Sequence, residues 1–436
     1  MADDPRDAHP DGAVAVVRRP PFSDNPRVGA RGLRTQQRIL DAGLRAFGEA
    51  GYHGCTVERI TRLARCSRVA FYQYFESKED VFRQLSGQVA RQVSASTEAL
   101  EPLTPDAAGR AALRAWIARY AEIYARYEPV FHAVESDDVL AGVAGRVGMD
   151  NVARIHSRLE TTSLPPRQLD PVIVMLLEAL NHTLGVVGIL ASVVPDAYPR
   201  VRVEEALTDV WHRTLFGTRA GVNVHDAGGP PPPALDLDPR ADDLLGRDGH
   251  EPESSGARTS ALVAIVDAGR GVFVARGYHN TRVDDLVDAA GVSHGAFYRY
   301  FRNKDQLARL LAQRAAASVG TVLTEIPDAT VDGSGGRAAL RRWLRRYHAT
   351  HSNEAAMLRV WVDAALQDPA LRAASAPSLD WGRRRLARWL APRGFGDLDM
   401  DGVVLVALLG IFGARRRSAA DVEAAAHIIE RGLLGR

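Results

Sequence analysis

The residues from Thr56 to Lys78 combine hydroxyl, basic and aromatic side chains at short spacing. The positive charges of Arg59 and Arg68 could neutralise phosphate, and a guanidinium can also donate two hydrogen bonds to the major-groove edge of guanine. Hydroxyl groups at Thr56 and Ser67 could cap short helices, which places them at helix N-termini, where anions bind. The chemistry that this stretch predicts is binding to the phosphates and bases of a nucleic acid.

A second copy of the same phrase lies further along the chain. The segment AFYQYFESKED begins at Ala70, and AFYRYFRNKDQ begins at Ala296. Lysine and arginine together number 55, and the only two lysines, Lys78 and Lys304, occupy equivalent places in these phrases. A shift of about 226 positions also aligns ILDAGLRAFGEAGYHGCTV with IVDAGRGVFVARGYHNTRV without a gap. Weaker echoes, AALRAWIARY with AALRRWLRRY and WHRTLFG with IERGLLG, extend the repeat to a unit of about 200 residues.

Each copy contains two short helical segments in succession. In the first copy, Gly51 is expected to end a long helix, Thr56 to cap a helix that ends near Ala64, and Ser67 to cap a helix that ends near Tyr74. Two short helices across a tight turn form a helix-turn-helix, in which the start of the second helix meets base edges. No alternating strand pattern is convincing elsewhere, so we expect an all-α fold.

The order and spacing of these residues resemble the tetracycline-repressor (TetR) family of bacterial transcriptional regulators, over about 50 residues of each copy. In the first copy the resemblance is carried by Phe47, Gly51, Tyr52, Thr56, Val57, Ile60, Phe71, Tyr72, Tyr74, Phe75 and Lys78. In the second it is carried by Phe273, Gly277, Tyr278, Val283, Leu286, Ala290, Gly291, Val292, Ser293, Phe297, Tyr298, Tyr300, Phe301 and Lys304.

Two positions depart from the family pattern. Arg65 and Cys66 stand where the family turn favours Gly-Val, and Arg282 stands where the first copy has Thr56, so a hydroxyl is lost there. The phenylalanines of both motifs are expected to be core residues. For Tyr72 a DNA contact is the preferred interpretation over a place in the core, whereas for Tyr74 a place in the core is preferred. The candidate DNA contacts are Thr56, Arg59, Ser67, Arg68, Ala70, Tyr72, Tyr74 and Lys78 in the first copy, and Arg282, Ser293, His294, Gly295, Ala296, Tyr298, Tyr300 and Lys304 in the second.

The lysines stand at predicted helix starts. Ser77 and Asn303 are candidate N-caps, which makes Lys78 and Lys304 the first residues of the next helices. A lysine there opposes the helix dipole, but the ammonium and the unpaired N–H groups together could bind a DNA phosphate. The resemblance likewise implies that these lysines, with Tyr72 and Tyr298, contact the DNA backbone. The alternative is an ordinary solvated lysine.

The two motifs differ in charge. Residues 56–75 contain four arginines and one glutamate, a net charge of +3, whereas residues 282–301 contain two arginines and three aspartates, a net charge of −1. Three further arginines, at 31, 34 and 38, precede the first motif as a possible arm to the backbone or minor groove. The first motif is therefore predicted to contribute more binding energy, and an operator read by two unlike motifs is predicted to be asymmetric.

The rest of each copy is alanine-rich and helical. The resemblance implies that it holds a ligand site and two pairing helices, here predicted at 168–192 with 201–216 and at about 398–416 with 419–434. A flexible linker would let the copies pair within one chain as a pseudo-dimer, and two chains pairing further remain an alternative. An apolar stripe could line a pocket for a small apolar effector such as a lipid or an acyl thioester, or it could be ordinary core. The pocket candidates are Trp116, Tyr120, Tyr127, Phe131, Trp343 and Tyr347.

These observations predict six regions. They are a disordered tail (1–30), a first helix-turn-helix domain (31–85), a first effector and dimerisation domain (86–216), a flexible linker (217–258), a second helix-turn-helix domain (259–311) and a second effector and dimerisation domain (312–436). The linker is predicted from its Gly, Pro and Asp content and its lack of apolar periodicity.

Composition excludes several classes of protein. The 436 residues are 46% hydrophobic, and the net charge of +2 requires any basic surface to be local. Two cysteines without metal-ligand spacing suit a reduced compartment, and the N-terminus lacks the apolar core of a signal peptide. The most apolar run, 171–194, is interrupted by Glu178, Asn181 and His182, which predicts a buried helix instead of a membrane span.

Enzyme motifs are not found in the sequence: it has no P-loop, no GxSxG and no HExxH. We therefore expect a regulator without cofactor or metal whose partners are duplex DNA and an apolar effector. Its expected location is the bacterial cytoplasm, in association with the nucleoid. Repression is the expected outcome, and lipid metabolism genes are the expected targets. An activator, or a helical protein-interaction module whose second copy no longer binds DNA, are the alternatives.

Overall fold

The computed structural model describes residues 29–136, 138–217, 256–367, 369–413 and 418–436. Within these ranges the chain is helical, and its β pairing is a single bridge between Leu103 and Leu159. The predicted all-α class is therefore confirmed. The helices of the first copy are α1 (Ala30–Gly54), α2 (Val57–Ala64), α3 (Arg68–Tyr74), α4 (Lys78–Glu98), α5 (Ala107–Ser136), α6 (Asp138–Ser157), α7 (Pro166–Ala191) and α8 (Arg200–Phe216). Those of the second copy are α9 (Gly256–Asn280), α10 (Val283–Ala290), α11 (His294–Tyr300), α12 (Lys304–Thr324), α13 (Gly333–Gln367), α14 (Pro369–Leu390), α15 (Leu398–Gly410) and α16 (Ala419–His427), which continues as a π-helical turn, Ile428–Leu433.

Most of the predicted tail and linker lies outside the described residues. At their edges the helices begin earlier than the sequence suggested, because Ala30 is already in α1 and Gly256 is already in α9. Thr35, a hydroxyl residue just before the apolar period of the first helix, does not cap that helix. Its hydroxyl lies inside α1 and donates to the carbonyl of Arg31 at 3.1 Å, and the residue before the helix is Gly29. The expected arginine arm is also part of α1, where its three guanidinium-bearing side chains are exposed.

The first four helices of each copy pack around aromatic side chains. Phe71 and Phe75 are fully buried in the first copy, and Phe297 and Phe301 are buried in the second, as predicted. Both long first helices turn at a glycine with positive φ, which an L side chain disfavours: Gly51 has φ 64° and Gly277 has φ 72°. This shared turn directs the chain into the next short helix.

The pairing helices of the two copies lie against each other. Helix α7 packs on α15, α16 and α14, while α8 packs on α15 and on the π-helical turn that ends α16. Buried apolar residues fill this region from both sides, including Val172 and Leu176 from α7 and Val403 and Leu408 from α15. The resulting helix cluster joins the two copies through one continuous core.

Helix α7 is also long and apolar enough to pass a length and composition test for a membrane span, and it is the one helix of the described ranges that does so. Leu169, Ile173, Met175 and Leu180 of this helix are buried by its neighbours in the fold. One face of α7 therefore packs against the second copy, and the prediction that this helix does not span a membrane stays a prediction.

Candidate nucleic-acid interface

The short helices of both motifs are capped by the predicted side chains. Thr56 Oγ1 accepts from the Arg59 N–H at 3.2 Å, and Ser67 Oγ accepts from the Ala70 N–H at 3.0 Å. In the second copy Ser293 Oγ accepts from the Ala296 N–H at 3.2 Å. Each cap satisfies one of the free N–H groups at a helix start and fixes the direction in which the helix leaves the turn.

Arg282 replaces the threonine cap in the second copy. A guanidinium cannot accept the N–H that Thr56 accepts in the first copy, and a different bond forms here: the Asp285 carboxylate accepts from the Arg282 N–H at 2.8 Å. This backbone hydrogen bond is the main reason why the pKa of Asp285 lies below its usual value. The helix start is preserved, and the exposed hydroxyl of Thr56 has no counterpart there.

The turn between the two short helices has the same backbone in both copies. Arg65 has φ 51° and ψ 48°, and Gly291 has φ 64° and ψ 34°, both in the left-handed region. The N–H groups of these two residues bond to the preceding helix in the same way, with Arg65 N to Arg62 O at 3.2 Å and Gly291 N to Asp288 O at 3.2 Å. The sequence departure at Arg65 therefore changes the cost of the turn and not its geometry.

The second short helix of each motif exposes one face. On α3 this face presents Ser67, Arg68 and Tyr72, whereas Tyr74 is half-buried against the core. On α11 the equivalent face presents Ser293, His294, Gly295 and Tyr298, whereas Tyr300 packs against the core. Ala70 and Ala296 are half-buried, and their N–H groups serve the caps.

Sequence reasoning missed three residues on these faces. Val69 is 73% exposed between Arg68 and Ala70, although it is apolar. Gln73 and its counterpart Arg299 are also exposed, one turn further along the same helices. The four-residue period of a helix would have revealed Gln73, because it follows Val69 by one turn. An exposed valine at this place is suited to contact with a thymine methyl group.

The two lysines have partners that the sequence did not predict. Lys78 Nζ donates to the carbonyls of Tyr52 at 2.9 Å, Cys55 at 3.2 Å and His53 at 3.3 Å, all at the end of α1. It also lies over the Tyr52 ring, 4.9 Å from its centroid. Three N–H groups thus meet three carbonyls that the helix leaves without intrahelical partners.

Lys304 repeats the arrangement in the second copy. Its Nζ donates to the carbonyls of Tyr278 at 2.8 Å and Thr281 at 3.0 Å, and lies 4.5 Å from the centroid of the Tyr278 ring. Burial lowers the pKa of this ammonium. A compact ammonium with three rotatable donors suits a ring of carbonyls, whereas a planar guanidinium does not. Retention of lysine at both places is therefore accounted for by closure of the first helix, and the phosphate contact stays a prediction.

Arg59 forms an ion pair whose charges are reversed in the second copy. Its guanidinium lies 2.8 Å from Glu49 of α1. The residue equivalent to Arg59 is Asp285, which pairs with Arg276 of α9. Each pair ties the first short helix to the long helix before it, and only the first copy leaves a positive charge on the short helix.

His294 is also paired within its own motif. Its Nε2 lies 3.4 Å from Asp284 Oδ1, and its ring stacks on Tyr298 with centroids 6.5 Å apart. The equivalent residue, Arg68, is exposed. The start of α3 thus presents a permanent positive charge, whereas the start of α11 presents an imidazole beside a carboxylate.

The pocket candidates lie inside the helical bodies. Trp116 Nε1 donates to Thr97 Oγ1 at 3.3 Å, the Tyr120 hydroxyl donates to Asn181 Oδ1 at 2.9 Å, and Trp343 Nε1 donates to the Val322 carbonyl at 2.9 Å. Phe131 is half-buried, and burial raises the pKa of the Tyr347 hydroxyl. These contacts are those of core residues, and their role in a ligand pocket stays a prediction.

Tyr127 differs from the other pocket candidates because its hydroxyl connects α5 to α4. Helix α5 is kinked at this residue, two positions before Pro129. Gln92 of α4 donates to the Tyr127 hydroxyl at 2.8 Å, and the hydroxyl donates to Gln88 of α4 at 3.4 Å. Gly48 of α1 packs beside the Pro129 ring at the same kink.

Comparison with known proteins identifies both motifs independently. The model of "Bacterial regulatory proteins, tetR family" matches residues 39–85 and 265–311. The chain is 32% identical over 71 residues to the uncharacterized HTH-type transcriptional regulator YdgC of Bacillus subtilis, which is 16% of this chain and 36% of that protein. It is 33% identical over 66 residues to the HTH-type transcriptional repressor AcnR of Corynebacterium glutamicum, 15% of this chain and 35% of that protein.

A third relative is matched over more of its length. The chain is 30% identical over 137 residues to the HTH-type transcriptional regulator BetI of Burkholderia pseudomallei, which is 31% of this chain and 69% of that protein. The match to YdgC and AcnR spans only about a third of those proteins. The two matched domains share the serine cap, the turn geometry and the lysine bonds, and one lies in the N-terminal part of each copy. The chain therefore belongs to the tetR family of bacterial regulatory proteins, in a tandem form with two modules in one chain.

Proposed function

We propose that the protein is a sequence-specific DNA-binding transcriptional regulator, and that it acts as a ligand-responsive repressor. The observation that carries this proposal is the pair of capped helix-turn-helix motifs, each with one exposed face on its second short helix. The names of relatives such as the repressor AcnR support repression over activation. Such a regulator would work in the bacterial cytoplasm, at the nucleoid.

The two motifs would read an asymmetric operator. Arg68 can donate two hydrogen bonds to a guanine, whereas His294 offers an imidazole that faces Asp284. The net charges of +3 and −1 over the two motifs make the first the stronger binder of phosphate. The second motif would then position the protein on the DNA and add modest specificity. In the alternative case it would not bind DNA at all.

One chain would form the DNA-binding unit. The packing of α7 and α8 against α15 and α16 supports this, because it is the arrangement by which two modules of this family are expected to pair. A pseudo-dimer of this kind presents both second short helices from one polypeptide. Every pseudo-dimer then contains one helix-turn-helix motif of the first copy and one of the second.

An effector in the helical body would act through the kink of α5. Tyr127 and Pro129 at this kink contact α4 and α1, and α4 begins at Lys78, directly after the recognition segment. A ligand that displaced the kink would move α4 and thus the second short helix. The aromatic residues around Trp116 and Tyr120 suit an apolar ligand such as a lipid or an acyl thioester.

The DNA-binding proposal is tested by matched substitutions in the full-length chain. Arg68→Ala should weaken binding to the preferred duplex by about 5-fold to 150-fold, because it removes a base contact of roughly 1–3 kcal/mol. His294→Ala should weaken it less than about threefold, since the imidazole already faces a carboxylate. Arg346→Ala, an exposed surface arginine of the second body, is the control that should leave binding unchanged.

Binding is measured by fluorescence anisotropy across a salt series. A phosphate-binding reader loses affinity steeply between about 50 and 200 mM salt. Affinity that does not change with salt, or an Arg68→Ala variant that binds like the unsubstituted chain, contradicts the proposal.

The effector proposal has its own test. Trp116 and Trp211 lie with ring centroids 5.4 Å apart in the first body, so their emission should report occupation of that region. A long-chain acyl thioester should change tryptophan emission and release the duplex over the same concentration range. Release without any change in emission would place the effector elsewhere, and no release by apolar ligands would contradict the proposal.

A further inference from the structure

Buried ion pairs cross the interface between the two copies. Arg202 of α8 forms two short bonds to Asp397, at 2.5 and 2.9 Å, and lies 3.5 Å from Asp399. Arg213, also of α8, lies 3.7 Å from Asp401 of α15. All five side chains are nine-tenths or more buried. In these cross-copy ion pairs the first copy supplies the arginines and the second supplies the aspartates.

A pair of two first copies would lack the acidic half of this arrangement. The equivalent of Asp397 is Gln168, because the Leu-Asp dipeptide that follows it aligns in both copies. The first copy retains an equivalent only of the more distant carboxylate, Asp170, and this group lies 2.7 Å from His156 of its own copy. Arg202 would thus meet a neutral amide in place of its main partner, which leaves a buried charge poorly compensated.

The second buried arginine would lose its cross-copy partner in the same way. In that register the equivalent of Asp401 is Val172. Arg213 would keep Asp209 of its own helix, 3.9 Å away, but it would face an apolar side chain across the interface. Removing one member of a buried ion pair is strongly unfavourable.

A pair of two second copies would lack the Arg202 part of this arrangement. The alignment of WHRTLFG with IERGLLG places Ala420 at the position of Arg202, whereas Arg431 stands at the position of Arg213. Asp399 and Asp401 have further arginines within the second copy, Arg383 and Arg393. Asp397 has its ion pair with Arg202, and a methyl group would stand in that place.

Shape adds a second restriction at the closest approach of the helices. Gly432, in the π-helical turn, lies against Val210 and Thr214 of α8. A side chain there would place its Cβ 2.9 Å from the Val210 carbonyl oxygen and closer still to the Thr214 hydroxyl. The residue equivalent to Gly432 in the first copy is Thr214 itself. Two first copies would therefore bring a threonine against a threonine where the existing crossing accepts only glycine.

We propose that the pairing face of the first copy is complementary to that of the second, and that neither face pairs with an identical face. Each chain then closes on its own second copy and does not form like-with-like pairs with other chains. Two independent observations carry this: the buried Arg202–Asp397 pair, neither member of which has a charged equivalent in the other copy, and the glycine on one side only of the helix crossing. The tether between the copies raises the effective concentration of the unlike partner, which favours closure within one chain. Every closed unit then presents one reader of each kind.

The charge arrangement is tested by reversal and exchange in the full-length chain. Arg202→Asp should lower the thermal midpoint by roughly 5 °C or more, because three carboxylates would then share one buried site. Adding Asp397→Arg restores opposite charges and should recover part of that loss, because the exchange also removes the Asp397 cap on the Met400 N–H of α15. Arg346→Glu reverses an exposed arginine whose pair with Glu325 lies at the surface, and it should change the midpoint by less than about 1 °C.

The crossing is tested by one added methyl group. Gly432→Ala should lower the midpoint by several degrees, whereas Gly410→Ala should not, since the nearest atom to its added Cβ is His182 Cδ2 at 3.9 Å. Light scattering should give the mass of one chain for the unsubstituted protein, and two differently tagged full-length chains should not co-purify after mixing.

Two results would overturn the inference. One is a stable dimer of the unsubstituted chain. The other is a set of Arg202→Asp and Gly432→Ala variants whose midpoints match those of their controls. Because no DNA is used, either result would leave the proposed DNA-binding function standing, and loss of DNA binding would leave this inference standing.

Discussion

The two modules share a backbone and differ in the chemistry that they expose. Both use a serine cap before the second short helix, a left-handed residue in the turn and a lysine that closes the first long helix. On the exposed face, however, Arg68 and Val69 are replaced by His294 and Gly295. The difference shows that caps, turn and buried aromatics are sufficient to keep the motif, which leaves the DNA-facing side chains free to diverge.

The connection from body to motif differs as well. In the first copy Tyr127 joins α5 to α4 through neutral hydrogen bonds with two glutamines. In the second copy Glu354, which aligns with Tyr127, lies 3.0 Å from Arg270 and so joins α13 to α9 by an ion pair. An effector that acts on one body would therefore be transmitted differently from an effector that acts on the other.

The largest effect is expected from substitution of the lysine that both modules share. Lys78→Met and Lys304→Met should each destabilise their module by about 2 to 3 kcal/mol, because several half-buried carbonyls lose a charged donor. Chemical denaturation measures the loss. The two variants should behave alike, since both ammonium groups bond to the end of the preceding helix.

The same variants separate this role from a phosphate contact. A lysine that bound phosphate would reduce the slope of log affinity against log salt by about 0.9 and leave stability unchanged. That pattern, found for Lys78→Met in folded protein, would show that the carbonyl bonds are secondary. A change of stability in one module alone would break the equivalence of the two.

A pH-dependent difference is expected in the bodies. His351 of the second copy is buried, and desolvation, with His182 and His348 nearby, lowers its pKa to about 4. The aligned residue of the first copy is Tyr124, so this buried imidazole has no counterpart there. Because the folded state keeps His351 neutral while the unfolded chain takes up a proton below its ordinary pKa of 6.5, stability is lost as pH falls from 6.5 towards 4.

The expected size of this loss is about 2 kcal/mol between pH 7 and pH 5. His351→Gln, which is neutral throughout, should remove that part of the acid sensitivity, as measured by urea denaturation at both pH values. Equal pH dependence of the variant and the unsubstituted chain would show that His351 is protonated without cost in the fold.

The smallest expected effect lies in the turn. Arg65→Gly should stabilise the first module by about 1 kcal/mol, because glycine adopts positive φ without steric cost. Gly291→Arg should destabilise the second module by a similar amount. Thermal midpoints check both changes, and shifts of the same sign in the two variants would contradict the shared turn geometry.

The sequence predicted the elements that depend on local patterns. Ser67, Ser77 and Asn303 cap helices as expected, because a cap acts on residues three positions away. The lysine bonds escaped prediction because their carbonyls lie more than 20 positions earlier in the chain and meet the ammonium only after folding. The bond of Arg202 to Asp397 spans 195 positions and was invisible for the same reason.

Departures from a pattern were also harder to interpret than matches. Arg65 departs from the Gly-Val pattern of the family turn, yet the surrounding hydrogen bonds hold it in the conformation of Gly291. Val69 escaped notice because an apolar residue in a helix is expected to be buried, and only the packing shows which face of a seven-residue helix is covered.

The most direct test of the central claim, that one chain carries two unlike readers, is selection of binding sites by the full-length protein from a random duplex library, followed by footprinting of the selected site. The account predicts a site without two-fold symmetry, with stronger protection of one half, and a loss of that stronger half in Arg68→Ala but not in His294→Ala. A palindromic site with equal protection of both halves, weakened equally by the two substitutions, would contradict it.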